Sequence, residues 1–194
     1  MSTALKSLGS ILAVLMLLVG AAAIGYAQWS RGITDADAAL AAGQLEQALA
    51  SYRAAEARFD RVPATKQLFA ADYNHVITNQ LWLMYRLGRY DETIDKAERS
   101  PDTASPHFWS GLAFFEKARA EEKPDARLGW LSRAEEELHR AVQATPNDWD
   151  TKFDFELTTR IVTELRKQPK TPAKQMMQLL RPPTSTSKPV RRVG

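Results

Sequence analysis

The sequence predicts an all-α protein: an apolar N-terminal transmembrane helix followed by helices in a repeating paired pattern. Three observations carry this prediction. The 194 residues are rich in alanine, leucine, glutamate, arginine and glutamine, with few β-branched runs and only nine glycines, a composition that favours helix. A run from Leu8 to Ala27 is almost wholly apolar. Beyond it, apolar residues recur at helical spacing between glycine and proline punctuation.

The length allows one domain with appendages, and the chain divides into residues 1–30 (anchor or signal segment), 31–168 (helical domain) and 169–194 (a basic, proline-rich tail). The net charge of +3 is unevenly spread. From Arg166 onward there are eight Lys/Arg and no acid, while the 18 basic and 23 acidic residues before it leave residues 1–165 at about −5. The high pI therefore belongs to the tail. A folded part that is acidic, and a basic tail without interleaved aromatics, argue against a nucleic-acid partner. Cysteine is absent, which excludes disulfides, thiolate metal sites, a cysteine nucleophile and the lipid-modified cysteine of a lipoprotein.

No charge falls between Lys6 and Arg31, and about twenty apolar residues are just enough to cross a bilayer. A cleaved secretory signal competes with this reading, with Lys6 in its basic region, Ile11 to Val19 as its core and Gly25-Tyr26-Ala27 as a small-x-small cleavage site. An uncleaved anchor is preferred because Tyr26 and Trp29 stand where interfacial aromatics stand. The N-terminal amine and Lys6 place the N-terminus in the cytoplasm. Both readings put the body of the protein across the membrane, and the simplest setting is a single-pass protein of a bacterial inner membrane with its domain in the periplasm.

In the first unit, Asp35 to Arg61, the residues Gly43, Leu45, Ala48, Tyr52 and Ala55 have the spacing of a turn and a returning helix, and its first helix is expected to run out of the anchor. The second unit has Ile77, Leu81, Met84 and Tyr85 on a helix from Asn74 to Leu87, a turn at Gly88-Arg89-Tyr90, and a return from Asp91 to Arg99 stopped by Ser100-Pro101-Asp102. The third starts at Ser105-Pro106, carries Phe108, Trp109, Leu112, Phe115 and Ala118, turns near Glu121 to Pro124, and returns through Ala126 to Ala144. Gly43, Gly88 and Gly129 read as recurring turn glycines.

The closing helix spans Thr145 to Leu165. Thr145 is its expected N-cap, Pro146 its first residue, and Asp148 a favourable charge at the positive end of the dipole. Trp149, Phe153, Leu157, Ile161 and Leu165 recur every four residues, and this face is expected to pack onto earlier helices. In the tail, Pro169, Pro172, Pro182, Pro183 and Pro189 with Ser, Thr and Lys predict an extended or disordered segment. Within it Ala173 to Leu180 offers Met176 and Met177 as a short docking motif for a partner or an anionic membrane surface.

Chemistry is sparse. His75, His107 and His139 lie 32 residues apart, but each has a different local context, and none has a second His or carboxylate at a ligand-like spacing that stands out from ordinary helical charge, so no metal site is expected. No phosphate loop, nucleophile elbow or Ser/His/Asp arrangement is visible. No catalytic residue, cofactor or small-molecule substrate is therefore predicted, and an envelope enzyme would need a polar cluster that only folding assembles. What remains is a binding module, with Tyr73, Asn74, Tyr85, Arg86, Trp109 and Phe115 as candidates for either its concave surface or its core.

The glycine, aromatic, small residue, alanine and proline of LGRYDETIDKAERSP resemble the tetratricopeptide repeat, with Thr93 in place of an alanine and longer unit spacings than the usual 34 residues. The segment Pro146-Asn147-Asp148-Trp149-Asp150-Thr151-Lys152-Phe153-Asp154-Phe155-Glu156-Leu157 resembles a motif of the MxaK proteins of methylotrophic bacteria: proline, two polar residues, Trp-Asp-x-Lys-Phe-Asn, then an apolar and an acidic residue. Similar segments occur in tetratricopeptide proteins that accompany von Willebrand A-domain membrane proteins. This chain departs from the motif at Asp154, where asparagine is usual, and in its basic tail. The resemblance implies a periplasmic accessory in methanol dehydrogenase maturation, linked to calcium insertion beside the client's quinone and carried out with A-domain membrane partners. The calcium would belong to the client, because this chain shows no calcium loop. Trp149, Asp150, Lys152 and Phe153, with Met176 and Met177, are the candidate partner-binding residues. The competing expectation is a general envelope adaptor or secretion-complex component unrelated to methanol.

Overall fold

The computed structural model describes the backbone of residues 2–167 and the side chains of residues 14–21 and 23–167. Met176, Met177 and the rest of the tail lie outside the described residues. Eight helices and no strand occur among those described: α1 Ser2–Ala41, α2 Leu45–Arg61, α3 Ala64–Leu68, α4 Ala70–Arg86, α5 Tyr90–Glu98, α6 Ala104–Ala120, α7 Pro124–Ala144 and α8 Trp149–Lys167. The chain is all-helical, and α1 is long and apolar enough to cross a membrane.

α1 does not stop at residue 30. It continues through Arg31 into the first hairpin, so the apolar run and the domain share one helix about 60 Å long. The hairpins α1/α2, α4/α5 and α6/α7 then follow in chain order, each helix packing chiefly on its neighbours. Gly43 and Gly88 make the first two turns, both at φ +72°, a left-handed conformation that a Cβ disfavours. After each, the next N–H bonds back into the preceding helix, Gln44 to the Ala39 carbonyl and Arg89 to that of Met84, closing the helix ends.

Gly129 is a correction. It lies inside α7, not at a turn. Pro124 occupies the first turn of α7, where its missing N–H costs nothing, so the α6/α7 connection is made by residues 121–123 without a glycine. The extra turn α3, between α2 and α4, accounts for part of the long spacing from Gly43 to Gly88.

The main core lies between α1, α2 and α4, where small Ala36, Ala48 and Ala55 let the helices approach and Leu49, Tyr52, Phe59, Val76 and Leu81 fill the space. Trp29 closes the end of this core nearest the apolar run against Phe59, with ring centroids 5.3 Å apart in an edge arrangement. Across α2, α4 and α5 the fully buried Gln80 donates to Glu56 at 3.0 Å, and Glu56 also pairs with Lys96. Smaller clusters around Ile94, Phe114 and Ala134, and around Ala118, Leu131 and Val162, continue the core to α8.

Candidate functional site: the outer face of the last helix and the α5–α7 cleft

The start of α8 differs from the expected one. Thr145 ends α7, its hydroxyl donating back to the Ala141 carbonyl at 2.9 Å. Asp148 is the cap instead: Oδ1 accepts from the Asp150 and Thr151 N–H groups at 3.0 and 3.5 Å, and Oδ2 accepts the Thr151 hydroxyl at 2.9 Å. These bonds favour the ionised form and hold the Asp148 carboxyl below its usual range. The proline at 146 makes a turn before the helix rather than its first residue.

The expected packing of the four-residue stripe is also overturned for its first half. Trp149 is 79 % exposed, Phe153 66 % and Leu157 40 %. The side chains that α8 does bury are Thr151, Thr158 and Val162, with Ile161 and Leu165 beside them. The cause is geometric. At about 100° per residue, a four-residue spacing drifts by about 40° at each step. Thr158 lies about 180° around the helix from Trp149, so only the far end of the stripe swings into the seam with α7. The described part of the chain ends with this helix, and nothing in it covers the Trp149 side.

Trp149, Phe153 and Leu157 thus make an exposed apolar stripe of the kind that marks interaction surfaces. Lys152 Nζ lies 4.9 Å from the Trp149 ring centroid, a cation–π contact that holds the indole against its own helix. Asp150 is exposed at the rim. Asp154 is half-buried on the inner side, and burial, then the charges of Asp150 and Asp148, raise its carboxyl above the ordinary range. An asparagine there, as in the resembling motif, would carry no such penalty.

The six candidates for a concave surface divide. Tyr73 is buried in the main core, whereas Asn74 and Arg86 are exposed. Tyr85, Tyr90, Phe108 and Trp109 form a half-buried aromatic run with centroid separations of 5.0–5.7 Å. Phe115 packs into the smaller clusters.

The histidines form no ladder. His75 Nε2 is 2.8 Å from Asp37 Oδ1, and His139 stacks on Phe155 at 5.2 Å. Among the described residues no group of three or more His, Asp or Glu side chains is placed to hold a metal. His107 has a more specific setting, which spacing did not reveal. It lies in a cleft of about 530 Å³ between α5, α6 and α7, with Ile94 and Phe114 among its apolar walls. Its Nδ1 meets Glu137 Oε2 at 2.7 Å and its Nε2 meets Asp102 Oδ1 at 2.6 Å. Burial lowers the imidazole's affinity for a proton, but the bonds to both carboxylates outweigh it and raise the pKa above 6.5. Asp102 is held low by the same bond and by the imidazolium charge. The Ser110 hydroxyl reaches Glu137 at 3.2 Å. Both ring nitrogens are engaged by acids, so neither is free to take that hydroxyl's proton. The arrangement acts as a clamp tying the Ser100–Thr103 turn to α6 and α7.

The clamp predicts a pH signature. A histidine whose pKa rises on folding contributes stability that is fully present below 6.5 and is lost as pH rises through the raised value. The lowered Asp102 contributes above 3.8 and loses its share as pH falls below that. His107→Ala should therefore cost about 1–2 kcal/mol near pH 6. The gap to the parent protein should narrow on the alkaline side in chemical denaturation from pH 5 to 9. A gap that stays constant across that range would show that folding leaves the imidazole's pKa unchanged, and one that widens on the alkaline side would show an imidazole held neutral in the fold.

No protein-family model, curated protein or solved structure matches this chain.

Proposed function

We propose that the chain is a membrane-anchored scaffold of tetratricopeptide type that works by holding protein partners, with its domain on the periplasmic side of a bacterial inner membrane. In its specific form, it is an accessory in methanol dehydrogenase maturation, assisting calcium insertion into the client alongside von Willebrand A-domain membrane proteins. The observation that carries the reading is the position of the WDTKF motif. Its two aromatics, Trp149 and Phe153, project outward from the last helix, where they are free to meet a partner. The long apolar α1, continuous with the first hairpin, and the run of helical hairpins, the first two turned by left-handed glycines, support the anchor and the repeat character. The specific client rests on the motif resemblance. Asp150 and Lys152 flank the aromatics as polar partners at the rim.

The test is recovery of partners from membranes of the native host growing on methanol, solubilised in mild detergent, with the tagged full chain as bait. Co-purification of A-domain proteins or methanol dehydrogenase subunits is the expected result. Recovery of other envelope proteins and neither of these would replace the methanol reading with that of a general envelope adaptor.

A further inference from the structure

We propose that the α2–α3 corner is a second membrane contact, seated in the phospholipid interface beside the point where α1 leaves the bilayer. The inference rests on α1 being a membrane anchor. α2 runs antiparallel to α1, and their partners fix the register: Tyr52 bonds Asp37, while Phe59 packs on Trp29 and the Arg58 guanidinium donates to the Trp29 carbonyl at 3.4 Å. α2 thus descends towards the apolar run, and its last turn at Arg61 lies near the level of Tyr26. The chain then turns through α3, and Phe69 returns to α1 with its ring 5.5 Å from Tyr26 and 6.3 Å from Trp29. This is the level at which the apolar run from Leu8 to Ala27 ends.

At this level the protein presents apolar side chains outward. Leu68, the last residue of α3, is 74 % exposed, and Val62, just beyond the end of α2, is 48 % exposed. Tyr26 and Trp29 stand beside them, amphipathic rings of the kind that settle at headgroup depth. The nearby charges are mainly cationic: Arg31, Arg58, Arg61 and Lys66, against Asp60, which pairs with Lys66 at 2.7 Å, and Asp72, which accepts from Tyr26 at 3.1 Å. Apolar tips below a basic collar match the order of a phospholipid surface, acyl carbon beneath phosphate. The contact would fix the tilt of the domain and hold α8, the far end of the helical series, in one orientation over the membrane instead of leaving it to swing about α1.

The absence of cysteine makes the test direct, since each introduced thiol is unique. Three single-cysteine full-length chains, Leu68→Cys, Leu17→Cys and Ala42→Cys, would be labelled with an environment-sensitive fluorophore. They would be reconstituted in bilayers of phosphatidylethanolamine and phosphatidylglycerol containing lipid-borne quenchers at known depth. Leu17 reports the span. Ala42, at the opposite end of the same hairpin and about 24 Å from Tyr26 along α1, reports water. The expected result is strong quenching at position 17 by deep quenchers, several-fold stronger quenching at 68 than at 42 by shallow ones, and a loss of the signal at 68 when Arg61 and Lys66 are replaced by glutamate. Quenching at 17 with position 68 as unquenched as 42 would overturn the contact and leave the anchor standing. No quenching at 17 would overturn the anchor, and this inference with it.

Discussion

Replacing Trp149 and Phe153 by alanine should leave the domain folded while weakening partner capture by about 30-fold or more. The two halves of this result have different physical origins. Both side chains are exposed on the outer face of α8, so their truncation creates no cavity, and the expected loss of stability is within about 0.5 kcal/mol per site. At an interface, aromatic anchors that become fully desolvated are the residues with the largest effects, about 2 kcal/mol or more each, so that the loss of one alone accounts for about 30-fold. The measurement pairs thermal melts of the double variant with quantitative recovery of partners on the same bait. Thr158→Ala on the buried face is the control, because it should disturb the α7–α8 seam. A double variant that keeps full capture would remove the α8 face from the function, and one that melts far below the parent would show that this face is covered after all.

The second large effect lies at the α6–α7 crossing. Leu138 is fully buried, and a Cβ built on Gly111 would stand 2.7 Å from its Cγ. Glycine at 111 is therefore required by close approach of the helices, although it lies in a helix interior where glycine ordinarily costs about 1 kcal/mol relative to alanine. Leu138→Ala should destabilise by about 2–5 kcal/mol through lost burial and the cavity left behind, lowering Tm by roughly 10 °C for a domain of this size. Gly111→Ala should cost about 1–3 kcal/mol by overpacking, in spite of the better helix propensity of alanine. The two changes should couple. In the double variant the new methyl at 111 enters the space vacated at 138, so the combined loss should fall short of the sum. Strict additivity in denaturant melts would mean that the helices separate at this point instead of sharing one packing site.

The helices themselves were legible in the sequence. The return helix with Ala48, Tyr52 and Ala55 lies where its spacing predicts, and the glycines at 43 and 88 make the predicted turns, because a left-handed residue at a helix end is a local requirement that glycine meets. Gly129 carried the same letter without the same cause, since Pro124 had already begun its helix. The face of α8 was misread for a comparable reason. A four-residue period describes a stripe that winds slowly around a helix, and it does not say which part of the stripe meets a neighbour. The His107 clamp was hidden more completely. Glu137 is thirty residues away from His107 in the chain, and no local pattern links them.

The sequence by itself determined that this chain is helical, that its first helix is apolar over a membrane-spanning length, that two of its turns need glycine, and that its positive charge gathers after Arg166. Each of these follows from backbone preference, hydropathy or composition, quantities that neighbouring residues set together. Tertiary structure alone decided that Trp149 and Phe153 face outward, that Gly111 admits Leu138, that His107 joins two acids, and that Val62 and Leu68 lie level with the end of the apolar run. These depend on how far each helix is rotated and how closely it approaches the next. That rotation is settled by the packing of many side chains distant in the chain, so it cannot be read from any one stretch.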